Sequence, residues 1–318
     1  MEAQTKENHS NVFEEINLKE LFFIVWDKKL LLLSITGFFA IFSIFYALSL
    51  KNIYLSSAVM VPVKEEESLT SMLPSYSALA GVAGIRLPTD APSQTIEAIS
   101  RIQSLEFFSN EFLPFVKLEN IMAVDSWNPT NNKISYKGRL FDENSGKWVR
   151  KAKFPRTAMP SNQEAYRSFL KSLSIFQDKE TQFVSISIKH HSPMIAKEWL
   201  ELLVLKINES MREEKRISAL NSIDFLNEIS KETNLSEMNE AISDLLEVQM
   251  KTLMLSSSNE DFVFKYVDPP FLPEERYSPN RSLVCIIITF LGFIFSILVA
   301  LISHYFNQIK KEEKNQTI

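Results

Sequence analysis

Hydrophobic positions along the chain follow three different rhythms. Two segments, Leu30 to Leu50 and Ser282 to Ser303, are continuous apolar runs without Asp, Glu, Lys or Arg. Each is roughly the ~20 residues that a helix needs to cross the hydrocarbon layer of a bilayer. Elsewhere the pattern alternates. Val184, Ile186 and Ile188 face one way and Ser185, Ser187 and Lys189 the other, which predicts a half-buried strand. The β-prone segments Tyr54–Val63 and Phe262–Val267 predict two more strands.

The third rhythm is helical. Ser192 suits a cap and Pro193 the first helical position. Apolar residues then recur at Ile195, Trp199, Leu202, Leu203, Ile207, Met211, Ile217, Leu220, Ile223, Leu226 and Ile229. No Pro or Gly interrupts between Met194 and Val267, so one helix from Pro193 to Glu232 is expected, roughly 60 Å long. Its return is a second helix, about Ser236 to Leu255, capped by Asn234 with Glu237, and then an extended Ser256–Phe262 run. Shorter helical patterns stand at Ile96, Ile99 and Ile102, at Phe107, Phe108 and Phe112, and in EAYRSFLKSL behind Ser161.

Charge decides how the apolar runs are used. The leader before the first run is long and acidic and no small-residue cleavage site follows, so an uncleaved anchor is expected. Lys28, Lys29, Lys310, Lys311 and Lys314 flank the terminal sides, and Lys51, Arg276 and Arg281 the central side. That bias points both termini to the cytoplasm and exports everything between the spans as one block. Before the first span, NLKELFFIVWDKK reads as an amphipathic helix capped by Asn17, with Leu18, Leu21, Phe22 and Val25 on its apolar face.

Composition removes several kinds of chemistry. With 318 residues, net charge −5 and six Gly, the chain has neither a basic surface for nucleic acid nor a glycine loop for phosphate. The single cysteine, Cys285, lies in an apolar run and acts as a small apolar residue. His9, His190, His191 and His304 do not fall in a metal-ligand pattern, and His190–His191 reads as a turn between two elements. No metal, cofactor or catalytic residue is therefore assigned. Lys147, Arg150, Lys151, Lys153 and Arg156, beside Trp127 and Trp148, could meet an anionic glycan or lipid phosphate; a solvated loop explains them more simply.

Two features remain for a functional role. Pro269, Pro270, Pro273 and Pro279 crowd the segment before the second span, where proline fixes φ and donates no backbone hydrogen bond. Gly292, Ser296 and Ala300 recur every four residues in that span; Thr36 with Ala40, and Ser43 with Ala47, do so in the first. Small faces of this kind let helices approach closely in lipid, within or between subunits.

Taken in order, EINLKELFFIVWDKK, YLSSAVMVP, SISIKHHSPMIAKEWLELLVLKINESMREE, EMNEAISDLLEVQMKTLML and FVFKYVDPPFLPEERYSPNRS resemble the Wzz/FepE-type chain-length determinants, or polysaccharide co-polymerases. The resemblance implies an α+β protein of the bacterial inner membrane, with two transmembrane helices flanking a periplasmic α/β base and a long protruding helical hairpin. The expected layout is a cytoplasmic tail 1–29, a span 30–50, a periplasmic block 51–281, a second span 282–303 and a cytoplasmic tail 304–318. Within the block the base covers about 51–192 and 260–268, the arm about 193–256 and the proline-rich segment 268–281.

The same resemblance implies a ring-like homo-oligomer that sets O-antigen length on a lipid-linked polysaccharide with a Wzy-type polymerase, and that is not an enzyme. The prolines correspond to the family's functional motif. A dozen or so residues after the second span do not fit the kinase-bearing branch. The loop Ala80–Pro92 is less glycine-rich than the resemblance leads one to expect. Two other readings stay open. One is a capsule or exopolysaccharide export accessory protein working with a transporter. The other is an anchored glycan hydrolase or transferase, with Glu97, Glu198 and Glu201 as acids, although Glu198 and Glu201 sit three apart as on a solvated helix face.

Overall fold

The computed structural model describes residues 26–63, 93–232, 236–258 and 261–315. The helix predicted from Asn17, the loop Ala80–Pro92 and the Asn234 cap lie outside them. In chain order, α1 (Lys29–Ser49) is followed by β1 (Tyr54–Pro62) and α2 (Gln94–Ile102). A helical stretch with a π turn at Phe108–Phe112 leads to α3 (Leu118–Met122). Two small hairpins come next, β2 (Val124–Asn128) with β3 (Lys133–Tyr136), and β4 (Phe141–Asp142) with β5 (Lys147–Trp148). Then follow α4 (Asn162–Ser172), β6 (Leu173–Gln177), β7 (Val184–His190), α5 (Pro193–Glu232), α6 (Ser236–Ser258), β8 (Phe264–Asp268) and α7 (Arg281–Asn315).

Contacts separate two units, residues Lys51–Tyr277 and the pair formed by α1 and α7. In the first, four strands form an antiparallel sheet in the order β6-β7-β1-β8. Opposite residues Ser56 and Ile188, Ala58 and Ile186, and Met60 and Val184 are all buried, so one face of the sheet is closed. The other face carries Ser57 and Ser187, whose hydroxyls bond at 3.0 Å. This gives an α+β architecture, helices on one side of a single sheet.

The first half of α5 supplies most of that cover: Ile195, Ala196, Trp199, Leu200, Leu203, Val204, Ile207 and Met211 are buried. Phe108, Phe112 and Phe169 join Trp199, with Phe112 and Phe169 ring centroids 4.6 Å apart. Burying each such side chain contributes about 1.5–3 kcal/mol. Ser161 and Glu164 cap α4 reciprocally, which turns its Phe169 into this cluster.

Farther along, α5 packs against the returning α6 as a hairpin, with Ala219 and Ile242 buried. The sequence places a helix end at Leu255, whereas α6 continues to Ser258 and shortens the extended run. Ser256 and Ser257 each donate their hydroxyl to Leu253 O, at 3.0 and 2.7 Å, so the serines satisfy themselves inside the helix. The edge strand β6 was not anticipated, because it begins directly where α4 ends.

The second unit is an antiparallel helix pair. Thr36 donates to Ser296 Oγ at 3.4 Å, the Phe39 ring lies 5.9 Å from Phe295, and Cys285 Sγ is 3.7 Å from Ser43 O. Residues thus advance along α1 as they recede along α7. Both helices are long and apolar enough to cross a membrane.

Candidate functional site

Prolines decide what happens at the edge of the sheet. β8 pairs with β1 from Pro62 back to Val59 and stops at Asp268. Pro269 and Pro270 follow with no N–H to extend the ladder. The segment still accompanies β1: Ser56 Oγ donates to Phe271 O at 2.9 Å, and Tyr277 N–H donates to Ile53 O at 2.8 Å. Pro270 and Pro273 are buried, Pro269 is exposed, and Pro279 is half-buried behind a cis Ser278–Pro279 bond. Four rigid residues therefore set the path of the chain as it leaves the sheet.

Neighbouring elements close in on the same end of β1. Lys189 Nζ stands 4.9 Å from the Tyr277 ring centre, and Lys51 pairs with Asp125 at the start of β2. The Tyr54 ring meets Trp127 edge-on at 5.4 Å. His191 donates from Nδ1 to Asn52 O at 2.8 Å.

His190 is not in a turn. It ends β7 opposite Tyr54 and is buried beside Trp199, ring centroids 5.0 Å apart. Its Nδ1 accepts the Ser192 N–H at 2.9 Å, which leaves Nε2–H to donate to Asn120 O at 3.1 Å. Both ring nitrogens are thus spent on the backbone. Burial, reinforced by the nearby His191, pushes the His190 ring down to about 4.

The sign of the linkage follows from that value. The unfolded ring titrates near its ordinary 6.5, so between pH 6.5 and 4 the unfolded chain binds the extra proton and the fold loses stability as pH falls. Between about pH 7 and pH 5 the expected loss is about 2 kcal/mol. Urea unfolding at those two pH values checks it, and His190→Gln should flatten the dependence. A wild-type midpoint that does not move would contradict the buried neutral ring.

The basic loop divides into a paired arginine and exposed lysines. Arg150 holds Glu164 with Nη1 at 3.1 Å and Nη2 at 2.6 Å, and donates to Ala158 O and Thr157 O. Hydrogen bonding from Arg150 brings the Glu164 carboxyl down to about 2. Arg150 therefore anchors the loop to the α4 cap and does not offer itself to a ligand. Lys147, Lys151 and Lys153 remain exposed.

The acids do not assemble into a catalytic pair. Glu97 bonds Arg101 at 3.2 Å, and Arg101 also pairs with Glu214. Glu198 and Glu201 stand on the exposed face of α5.

In the helix pair, Ser296 and Ala300 are fully buried, as are Ser43 and Ala47 on the other helix. A Cβ built on Gly292 would lie 2.4 Å from Phe39 Cβ, so only glycine lets α7 approach this closely. Asn208 is the polar residue that sequence reasoning missed. Buried in the apolar stripe of α5, it accepts the N–H groups of Val263 and Phe264 at 2.8 and 3.0 Å and donates to Phe264 O at 3.0 Å. The only sequence signal was an Asn between Ile207 and Met211.

A sheet half-covered by helices and a long helical hairpin define an α+β architecture, accompanied by two helices long and apolar enough to cross a membrane. Residues 14–106 match the family model described as Wzz, chain length determinant protein. The resemblance read from sequence motifs is thus met by a family match over the N-terminal part of the chain. No curated protein matches.

Similar solved structures include a full-length bacterial polysaccharide co-polymerase, 13% identical, covering 92% of this chain and 99% of that one at a TM-score of 0.41. A fragment of WzzB, a polysaccharide co-polymerase from Salmonella Typhimurium, is 17% identical over 71% of this chain and 100% of that one, TM-score 0.29. A mutant of a Shigella flexneri lipopolysaccharide O-antigen chain-length regulator is 10% identical over 70% of this chain and 99% of that one, TM-score 0.20.

Proposed function

We propose that this chain is a non-enzymatic regulator of lipopolysaccharide O-antigen chain length in the bacterial inner membrane. In this reading α1 and α7 span the bilayer with both termini cytoplasmic, and residues 51–281 form a periplasmic scaffold. The scaffold acts as a homo-oligomer with a Wzy-type polymerase on a lipid-linked polysaccharide. The observation that carries the reading is the match of residues 14–106 to the chain length determinant family.

The hairpin supplies a reason for self-association. Phe225, Met250 and Met254 are 61%, 56% and 71% exposed on α5 and α6 of the single chain. Neighbouring hairpins would take such positions out of water. A ring of hairpins could then hold a polymerase or a growing glycan, and its geometry would bias when extension stops.

The proline-rich segment Pro269, Pro270, Pro273 and Pro279 is proposed as the functional motif, and Gly292, Ser296 and Ala300 as the packing face of the spans. Substituting Pro273→Ala with Pro279→Ala frees the backbone where it leaves β1. The expected result is an altered length distribution on a lipopolysaccharide gel, with the protein still in the membrane fraction. An unchanged ladder would remove the motif from the account.

A further inference from the structure

The end of the sheet where both chain ends of the Lys51–Tyr277 unit emerge contains an open cleft of about 420 Å³, lined by Asn52, Tyr54, Glu275 and Arg276. Two sets of contacts make it a built feature. The segments forming its walls are pinned together by the Tyr277 N–H bond to Ile53 O at 2.8 Å. One wall is stiffened on its far side by Trp127 against Tyr54 and by His191 on Asn52 O. Among the described residues neither Glu275 nor Arg276 makes an ion pair, whereas Lys51 pairs with Asp125 and Lys189 stands against Tyr277.

The cleft residues are close in sequence to the two apolar helices. Asn52 is three residues past Ser49, the end of α1, and Arg276 is five before Arg281, the start of α7. Extended backbone covers at most about 10 Å and 17 Å over those separations. Headgroups occupy a layer several ångströms thick directly outside the hydrocarbon. Tyr54, Trp127 and Tyr277, with Lys51, Lys189 and Arg276, are the aromatic and basic residues that favour that layer.

We propose that the cleft binds the headgroup of a zwitterionic phospholipid, its phosphate on Arg276 and its ammonium on Glu275. The adjacent opposite charges choose the ligand class. An arginine alone would accept any phosphate, while Glu275 beside it repels a purely anionic or diphosphate headgroup and attracts an amine. Tyr54, which lines the cleft, adds a hydroxyl to its polar groups. Lipid held here ties the folded unit to the bilayer surface by contacts other than the two covalent connections.

This inference rests on reading α1 and α7 as membrane spans. Full-length protein is reconstituted in nanodiscs of equal phosphatidylethanolamine and phosphatidylglycerol, released into detergent and weighed by native mass spectrometry. Native protein is expected to retain phosphatidylethanolamine in preference, by about tenfold for one charge-assisted contact. Arg276→Ala should lose the retained lipid, and Glu275→Gln should lose the preference while still retaining lipid. Equal retention of both lipids by native protein would overturn the proposal. So would variants that match native protein, or a preference for a polyprenyl diphosphate in a parallel arm. Alkaline extraction separates the two levels: chain released from membranes sinks the spans themselves, whereas chain retained without lipid preference sinks only the cleft.

Discussion

Replacing Asn208 with leucine is expected to cost the folded unit on the order of 3–5 kcal/mol. The side chain is buried and closes three backbone groups at once, the N–H of Val263, the N–H of Phe264 and the C=O of Phe264. Leucine fits the apolar surroundings but pairs with none of them, and each buried unpaired group costs about 1–3 kcal/mol. Some relaxation toward water brings the sum below its maximum. For a unit of this size the melting temperature should fall by about 10 °C.

The consequence reaches beyond stability, because Phe264 begins the strand that delivers the chain to the proline-rich segment. A thermal melt of the full-length protein in detergent checks the effect. Glu198→Leu, on the exposed face of the same helix, serves as control and should stay within about 0.5 kcal/mol of native. A loss below about 1 kcal/mol for Asn208→Leu would show that the clamp is dispensable.

The second large effect is expected at Gly292. Leucine there places a Cβ 2.4 Å from Phe39 Cβ, an atom next to the backbone that cannot swing aside. The helices must separate, and overpacking of this kind costs about 1–3 kcal/mol. In a Cys285→Ser background, cysteines at Thr36 and Ser296 report the approach, because their native side chains are 3.4 Å apart. Disulfide formation should fall about tenfold in Gly292→Leu. Adding Phe39→Gly, which removes that Cβ, should restore it. Equal crosslinking with and without the leucine would mean that the pair is not packed at this point.

Which parts of this architecture can be read without coordinates depends on how local their causes are. The 40-residue helix α5 is legible because a Ser-Pro start and an uninterrupted apolar stripe act residue by residue. The strand β7 is legible through strict alternation, and its buried set Val184, Ile186, Ile188 and His190 follows that alternation to the end. Its last member was misassigned because two adjacent histidines before Ser-Pro look like a turn, while the partner that buries His190, Asn120 O, is seventy residues away.

Other features fail for the same reason. β6 has no breaker before it, and only pairing with β7 makes Leu173–Gln177 a strand. The small residues Gly292, Ser296 and Ala300 announce a close approach, but nothing local says that Phe39 is what they meet. Arg150 looked like a member of a basic loop until its carboxylate, fourteen residues on, came into view. Stripes and caps belong to neighbours in sequence; clamps and clefts belong to neighbours in space.

Chain-length control is tested most directly by deleting the gene and running surface polysaccharide on a gel. The account predicts that the cluster of bands around one preferred length disappears, leaving a distribution weighted to short chains, and that the native chain supplied in trans brings the cluster back. A ladder identical with and without the protein would contradict it.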